Sequence, residues 1–193
     1  VWSLEGFFPS FDGPEMRQFK QRLERDIAEL QEAAAQAGAL RAEALPRWER
    51  VILAMEDAGA RLGHLGAYVE CLSAADAANE AYQGEEALLR RQAAELEKVE
   101  VDLLQGLRDA SEEDFAALLA RQGLAGAEHR LRRLRRRARH TMGRGEEKLA
   151  AELGVDGLHA WGRLYNTISG KLEFPMRWPD GRVETLPISR WRA

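Results

Sequence analysis

The chain has 193 residues, with 28 Lys and Arg against 32 Asp and Glu, for a formal charge of −4. The 45% apolar content excludes a disordered chain, and the acidic balance excludes a general polyanion binder while leaving room for a local basic patch. Cys71 is the lone cysteine, so there is no internal disulfide and no multi-cysteine zinc site; a reducing, cytoplasmic setting is the expectation. No run approaches the ~18 apolar residues that a membrane span needs, and the opening Val1-Trp2-Ser3-Leu4-Glu5 lacks the layout of a signal peptide.

Ala, Leu, Glu, Arg and Gln dominate from about residue 14 to 170, and these are strong helix formers. Before them, residues 1–13 form an arm rich in large apolar groups: Trp2, Leu4, Phe7, Phe8 and Phe11. Such groups are costly to leave in water, so the arm is expected to lie against the body. A first helix is predicted from Pro14 to Ala37, capped by Asp12 and terminated by Gly38. Its Met16, Phe19, Leu23, Ile27, Leu30 and Ala34 recur every three or four residues, which makes one apolar stripe.

A second helix begins near Pro46, and Gly59, Gly63 and Gly66 lie inside it. Each glycine costs about 1 kcal/mol against alanine, so either close helix packing or a kink is expected there. After a break at Asp76 and Asn79, a third helix runs to about Ala110 and returns antiparallel to the second as a long hairpin. Ser111, with Asp114 three residues on, opens a short helix ending at Gly123. Further helices are predicted over about 126–139, over 144–153 with Gly154 as the stop, and over 158–169 with Gly170 as the stop.

The period then changes from helical to two. Leu172, Phe174, Met176 and Trp178 alternate with polar residues, and Pro179-Asp180-Gly181 is turn chemistry. A β-hairpin over about 171–188 follows, with Pro175 and Pro187 on unpaired edges or strand ends. It is expected to pack on the helices, because a hairpin alone is marginal in water. Ser189 to Ala193 reads as a cap and a single helical turn, which predicts a chain cut before a further domain. The fold class expected is mainly α: a multi-helix bundle with a long helical hairpin and a carboxyl-terminal β-hairpin, all one domain over 1–193.

Few residues suggest chemistry. His64, His129, His140 and His159 form no H-E-x-x-H pattern and no pair at helical ligand spacing, so surface or packing roles are expected. Cys71 has no activating neighbour in sequence, and burial is expected for it. Glu112-Glu113 and Glu146-Glu147 sit at helix starts, where negative charge complements the dipole. No catalytic, cofactor-binding or metal-binding residue is therefore assigned.

The unusual charge feature is Arg130, Arg132, Arg133, Arg135, Arg136, Arg137 and Arg139, seven arginines in ten residues, with Leu131, Leu134 and Ala138 on a narrow apolar face. Setting those seven aside from the 28 basic side chains leaves 21 against 32 acidic ones. A docked helix whose arginines meet acidic neighbours is the reading preferred. A nucleic-acid contact through Arg130–Arg139 is the sharper alternative, and it lacks nearby stacking aromatics.

Several blocks together resemble a known family. These are Arg139-His140-Thr141-Met142, Glu146 through Leu153, Ala160-Trp161-Gly162-Arg163-Leu164-Tyr165, Leu172-Glu173-Phe174, and the opening Phe8-Pro9-Ser10-Phe11-Asp12 with Pro14. They resemble the amino-terminal region of oligoendopeptidase F-type zinc metallopeptidases, which in turn resemble thimet oligopeptidases more distantly. Ala138, Arg139 and Met142-Gly143-Arg144-Gly145 depart from the family pattern. The resemblance implies a cytoplasmic parent enzyme that hydrolyses short peptides. It also implies a zinc-bearing catalytic domain beyond this chain, whose H-E-x-x-H ligands match no position here. The chain would then be a non-catalytic domain that helps wall a cavity admitting short peptides, its partners being its own carboxyl-terminal domain and those peptides. A stand-alone helical scaffold or protein-interaction module is the alternative, and nucleic-acid binding ranks last.

Overall fold

The computed structural model describes residues 3–187. Helix α1 (Pro14–Ala37) buries Met16, Leu23, Ile27, Leu30, Ala34 and Ala37, the stripe that the sequence spacing marks. Its N-cap is Gly13 rather than Asp12, with Pro14 in the first turn. Asp12 instead takes the left-handed region at φ 51° and pairs with Arg17 at 3.2 Å, so its carboxylate is committed away from the helix end. Gly38 ends α1 at φ 64°, a conformation that glycine adopts without strain.

Helices α2 (Leu45–Ala75) and α3 (Glu80–Asp109) form the antiparallel hairpin, and Asn79 caps α3 by accepting from the Ala81 N–H at 3.0 Å. Both pack on α1 to make the main core, in which Trp48, Val51, Ile52, Met55, Val99, Leu103, Leu104 and Leu107 meet Leu23, Ile27 and Leu30. Gly106 lets α3 approach Trp48: a Cβ built there would overlap the ring, standing 2.6 Å from Cη2. A second cluster forms under the arm, where Phe8 packs with Met16, Leu65, Tyr68, Val69 and Leu89. The arm from Ser3 on therefore lies on the body, as its apolar content requires, while Trp2 lies outside the described residues.

The three glycines of α2 do not produce close helix packing. A Cβ at Gly59 would touch Leu96 only at 3.9 Å, and at Gly63 and Gly66 it would meet nothing within 4 Å. They line an open groove of about 760 Å³ between α2 and α3, and α2 runs unbroken through them. Cys71 lies on the exposed side of the same helix, so its expected burial is overturned.

Helix α4 (Glu112–Leu119) starts as predicted, with Ser111 Oγ accepting from the Asp114 N–H at 3.0 Å. It ends at Leu119, not Gly123, because residues 122–124 form a separate 3₁₀ turn. Helix α5 (Glu128–Ala138) inserts Leu131, Leu134 and Ala138 into the main core against α3.

Helix α6 (Arg144–Asp156) begins at Gly143, where Glu146 reaches back to accept from the Gly143 N–H at 3.0 Å. It passes Gly154 and stops three residues later. A side chain at Gly157 would put a Cβ 2.8 Å from the Leu153 carbonyl oxygen. Helix α7 (Leu158–Lys171) likewise passes Gly170, which was expected to stop it. Gly170 is instead a point of close approach, since a Cβ there would stand 2.9 Å from Ala77 Cβ at the turn between α2 and α3.

Strands β1 (Glu173–Arg177) and β2 (Val183–Pro187) pair antiparallel, with Pro175 opposite Thr185 and Glu173 opposite Pro187. The Trp178 N–H donates to the Arg182 carbonyl at 2.8 Å. Hydrogen-bonded and non-hydrogen-bonded pairs alternate from there, so both prolines fall in non-hydrogen-bonded pairs, where the missing N–H would have pointed away from the partner strand. The expectation that the hairpin packs on the helices is not met. Every residue of β1 is exposed, and β2 meets α7 only slightly.

Candidate functional site: an exposed apolar face on the carboxyl-terminal elements

Two ion pairs fix α6 to α3. Lys148 Nζ stands 3.0 Å from Asp102 Oδ1, and Lys98 Nζ stands 2.8 Å from Glu152 Oε1. Gln105 adds a bond from Nε2 to the Met142 carbonyl at 3.1 Å. These contacts are polar; Ala151 and Val155 are half-buried, but the larger apolar side chains of the same segment stay exposed. Leu149, Leu153, Leu164 and Ile168 are exposed, and Leu158, Trp161 and Tyr165 are 77%, 72% and 71% exposed. No residue of α7 is buried.

The hairpin continues this surface in sequence. Phe174, Met176 and Trp178 are exposed, and strand alternation puts them on one face. Trp178 is braced there, with its Nε1–H donating to Glu184 Oε2 at 3.2 Å and the Arg182 guanidinium 5.3 Å from its ring centre. Scattered exposed leucines are ordinary on any protein, but a run of aromatic and branched side chains from α6 to β1 is not.

Lys98 is the hinge of this attachment. The hydrogen bond to Glu152 raises its pKa above the ordinary 10.5, with Glu95 adding to it against the cost of burial. Burial works against the Glu95 carboxylate, but hydrogen bonds from Gln31 at 2.6 Å and from Lys98 at 3.0 Å outweigh it and hold the pKa below 4.5. The lysine's contribution is thus complete below pH 10.5 and is lost as pH rises through its raised folded value. The glutamate's is complete above pH 4.5 and is lost as pH falls through its lowered one. Since Glu152 is largely exposed, Lys98→Met is expected to cost no more than about 1 kcal/mol. The measurement is amide exchange across 144–156. That exchange rises selectively in the variant, and the wild type shows the same loosening at strongly alkaline pH.

The arginine helix is anchored rather than displayed. Arg130 pairs with Glu56 of α2 at 2.6 Å, Arg132 with Glu128 at 2.8 Å, and Arg137 with Glu100 of α3. Arg135 binds Glu112 and the Ala110 carbonyl, both at 2.8 Å, and its guanidinium lies 4.4 Å from the Phe115 ring centre. Arg133, Arg136 and Arg139 face outward. Four of the seven therefore hold α5 to α2, to α3, to the start of α4 and to its own first turn, as the docked-helix reading expects.

The histidines are not brought together. His64 is exposed at the rim of the cluster under the arm, its ring 4.9 Å from Phe7 and edge-on to Phe8 at 5.5 Å. His129 and His140 lie at the two ends of α5 on exposed positions, and His159 lies beside Gly154. Among the described residues no group of three or more His, Cys, Asp and Glu side chains is placed to hold a metal ion. The zinc that the family resemblance implies finds no fitting donor set among the described residues. No described helix is long and apolar enough to cross a membrane.

Sequence reasoning read α6, α7 and the hairpin correctly as elements, and a chain cut before a further domain predicts an exposed apolar surface, but it did not place that surface on these elements. The signal available was the exposed alternation itself: Leu149, Leu153, Leu158, Trp161, Leu164, Tyr165 and Ile168 exceed what two polar attachments to α3 can cover.

The fold and this surface define a class, a helical domain with one uncovered apolar side. Comparison adds a likeness over part of the chain. Residues 107–174 match the family model described as Oligopeptidase F, from the last turns of α3 through α4, α5, α6 and α7 to the start of β1. The matched span takes in the whole apolar run of α6 and α7. The arm and α1, where the sequence also resembles the family, lie outside the matched span. No curated protein and no solved structure matches the chain.

Proposed function

We propose that this chain is the non-catalytic amino-terminal region of an oligoendopeptidase F-like zinc peptidase. Its α6–α7 face would seat a carboxyl-terminal catalytic domain, and its helices would help wall a cavity that admits short peptides. The observation that carries the reading is the coincidence of the family match with the uncovered apolar run. A surface of this kind is a docking surface or a liability, and a domain partner resolves it. The physical role of the wall is steric. Rigid helices around the reacting bond exclude folded proteins and bulk water, while the metal's chemistry is supplied from the other half. The cytoplasm is the proposed setting.

An assay separates this from a self-contained enzyme. The chain with Zn²⁺ and an internally quenched peptide is expected to hydrolyse nothing above background. The longer product read from the gene past Ala193 is expected to hydrolyse it in a zinc-dependent way. Hydrolysis by the chain alone contradicts the proposal, as does a downstream sequence without a zinc-binding helix. A stop codon directly after Ala193 supports the stand-alone scaffold instead.

A further inference from the structure

The two outer edges of the β-hairpin are built differently. At non-hydrogen-bonded positions the backbone N–H and C=O point outward, away from the partner strand. On β1 these positions are Glu173, Pro175 and Arg177; on β2 they are Val183, Thr185 and Pro187. The β1 edge has no donor at its centre and carries a charge on either side of Pro175. Both are devices that keep strands from adding to an edge. The β2 edge has its proline, Pro187, only at the strand end and no charge at its outward positions: Val183 and Thr185 are uncharged and exposed, and each offers an outward N–H and C=O. Among the described residues no hydrogen bond reaches those groups.

The hairpin also lacks support. Two strands with little helix packing are marginal, and three or more with an apolar face are stable. We propose that the open edge of β2 pairs with the same edge of a second copy of this chain, antiparallel about Thr185, giving one four-stranded sheet.

The register follows from charge. Pairing centred on Glu184 would set two glutamates directly opposite each other, which is disfavoured. Pairing centred on Thr185 sets Glu184 opposite Leu186 and Thr185 opposite its symmetry mate. It makes four backbone bonds: each Thr185 N–H donates to the other Thr185 carbonyl, and each Val183 N–H to the opposing Pro187 carbonyl. The arrangement is isologous and closes on itself, so it stops at two copies. The blocked β1 edges become the outer edges of the new sheet. Phe174, Met176, Trp178 and Leu186 of both copies share one of its faces. This inference uses the strand edge and not the side chains of α6 and α7, so it stands or falls separately from the peptidase reading.

The test is sedimentation velocity over a wide concentration range. The wild type is expected to approach twice the 21.7 kDa chain mass. Thr185→Pro removes both central donors at an outward position and is expected to raise the dimer Kd at least about tenfold, with unchanged helical circular dichroism. A Cys71→Ser, Thr185→Cys variant is expected to form a disulfide-linked dimer on mild oxidation, since hydrogen-bonded pairs lie about 5.5 Å apart at Cα. Cys71→Ser, Arg177→Cys, on the blocked edge, is expected not to. A strictly monomeric wild type overturns the proposal. So does a folded Thr185→Pro variant that still dimerises, or cross-linking that is equal at both cysteine positions.

Discussion

Replacing Trp48 by alanine is expected to cost about 3–5 kcal/mol and to leave much of the population unfolded. Trp48 is 1% exposed and sits where α1, α2 and α3 meet, with α5 closing the same core through Leu131 and Leu134. Truncation removes the largest fully buried side chain described, and the surrounding helices cannot collapse into the space without breaking their own contacts. The ring also fixes Gly106. Gly106→Ala forces either the indole or α3 to move, for an expected loss of about 1–3 kcal/mol from overpacking. Urea unfolding monitored by far-ultraviolet circular dichroism measures both. A Trp48→Ala midpoint within error of the wild type contradicts the core described here. The indole Nε1 has no hydrogen-bond partner, so the loss is one of packing rather than of a polar contact.

The second large effect is electrostatic. Lys20 Nζ lies 2.6 Å from Glu85 Oε2 and joins α1 to α3, with the glutamate side chain 8% exposed and the lysine 21%. Glu85→Ala leaves the half-buried Lys20 ammonium at the α1–α3 junction without the carboxylate it binds. The expected cost is about 3 kcal/mol, the lower end for a broken buried pair, because the lysine keeps some water. Lys20→Met with Glu85→Leu removes both charges and fills the space, and most of the stability is expected to return. Equilibrium unfolding of the two single variants and the double one tests this. A double variant as unstable as the sum of the singles contradicts the coupling of Lys20 with Glu85.

Much of the helical layout was legible because it is periodic. Met16 through Ala37 and Leu131 through Ala138 reveal which face is buried through spacing alone, and Asn79 and Ser111 mark helix starts by a local hydrogen bond. Glycine was the poorer guide. Gly38 ends a helix because its φ is positive, whereas Gly154 and Gly170 lie within helices, and nothing in one sequence separates these cases. Gly170 is set by Ala77, which is distant in sequence, and Gly106 by Trp48. Cys71 was misplaced for a related reason, since burial depends on which face of α2 the neighbours cover. The candidate surface was least legible. An apolar stripe in a sequence does not say what covers it, and along α6, α7 and the hairpin the described residues leave it exposed. The reading of Ser189 to Ala193 as a cut helix falls outside the described residues.

The central claim is that the apolar face of α6 and α7 is a seat for a catalytic half. Its most direct test is hydrogen exchange on this chain and on the longer polypeptide that carries the coding sequence after Ala193. Strong protection gained across 144–171 in the longer protein, with α1 and α2 unchanged, is the result predicted. Equal exchange of that segment in both contradicts the claim.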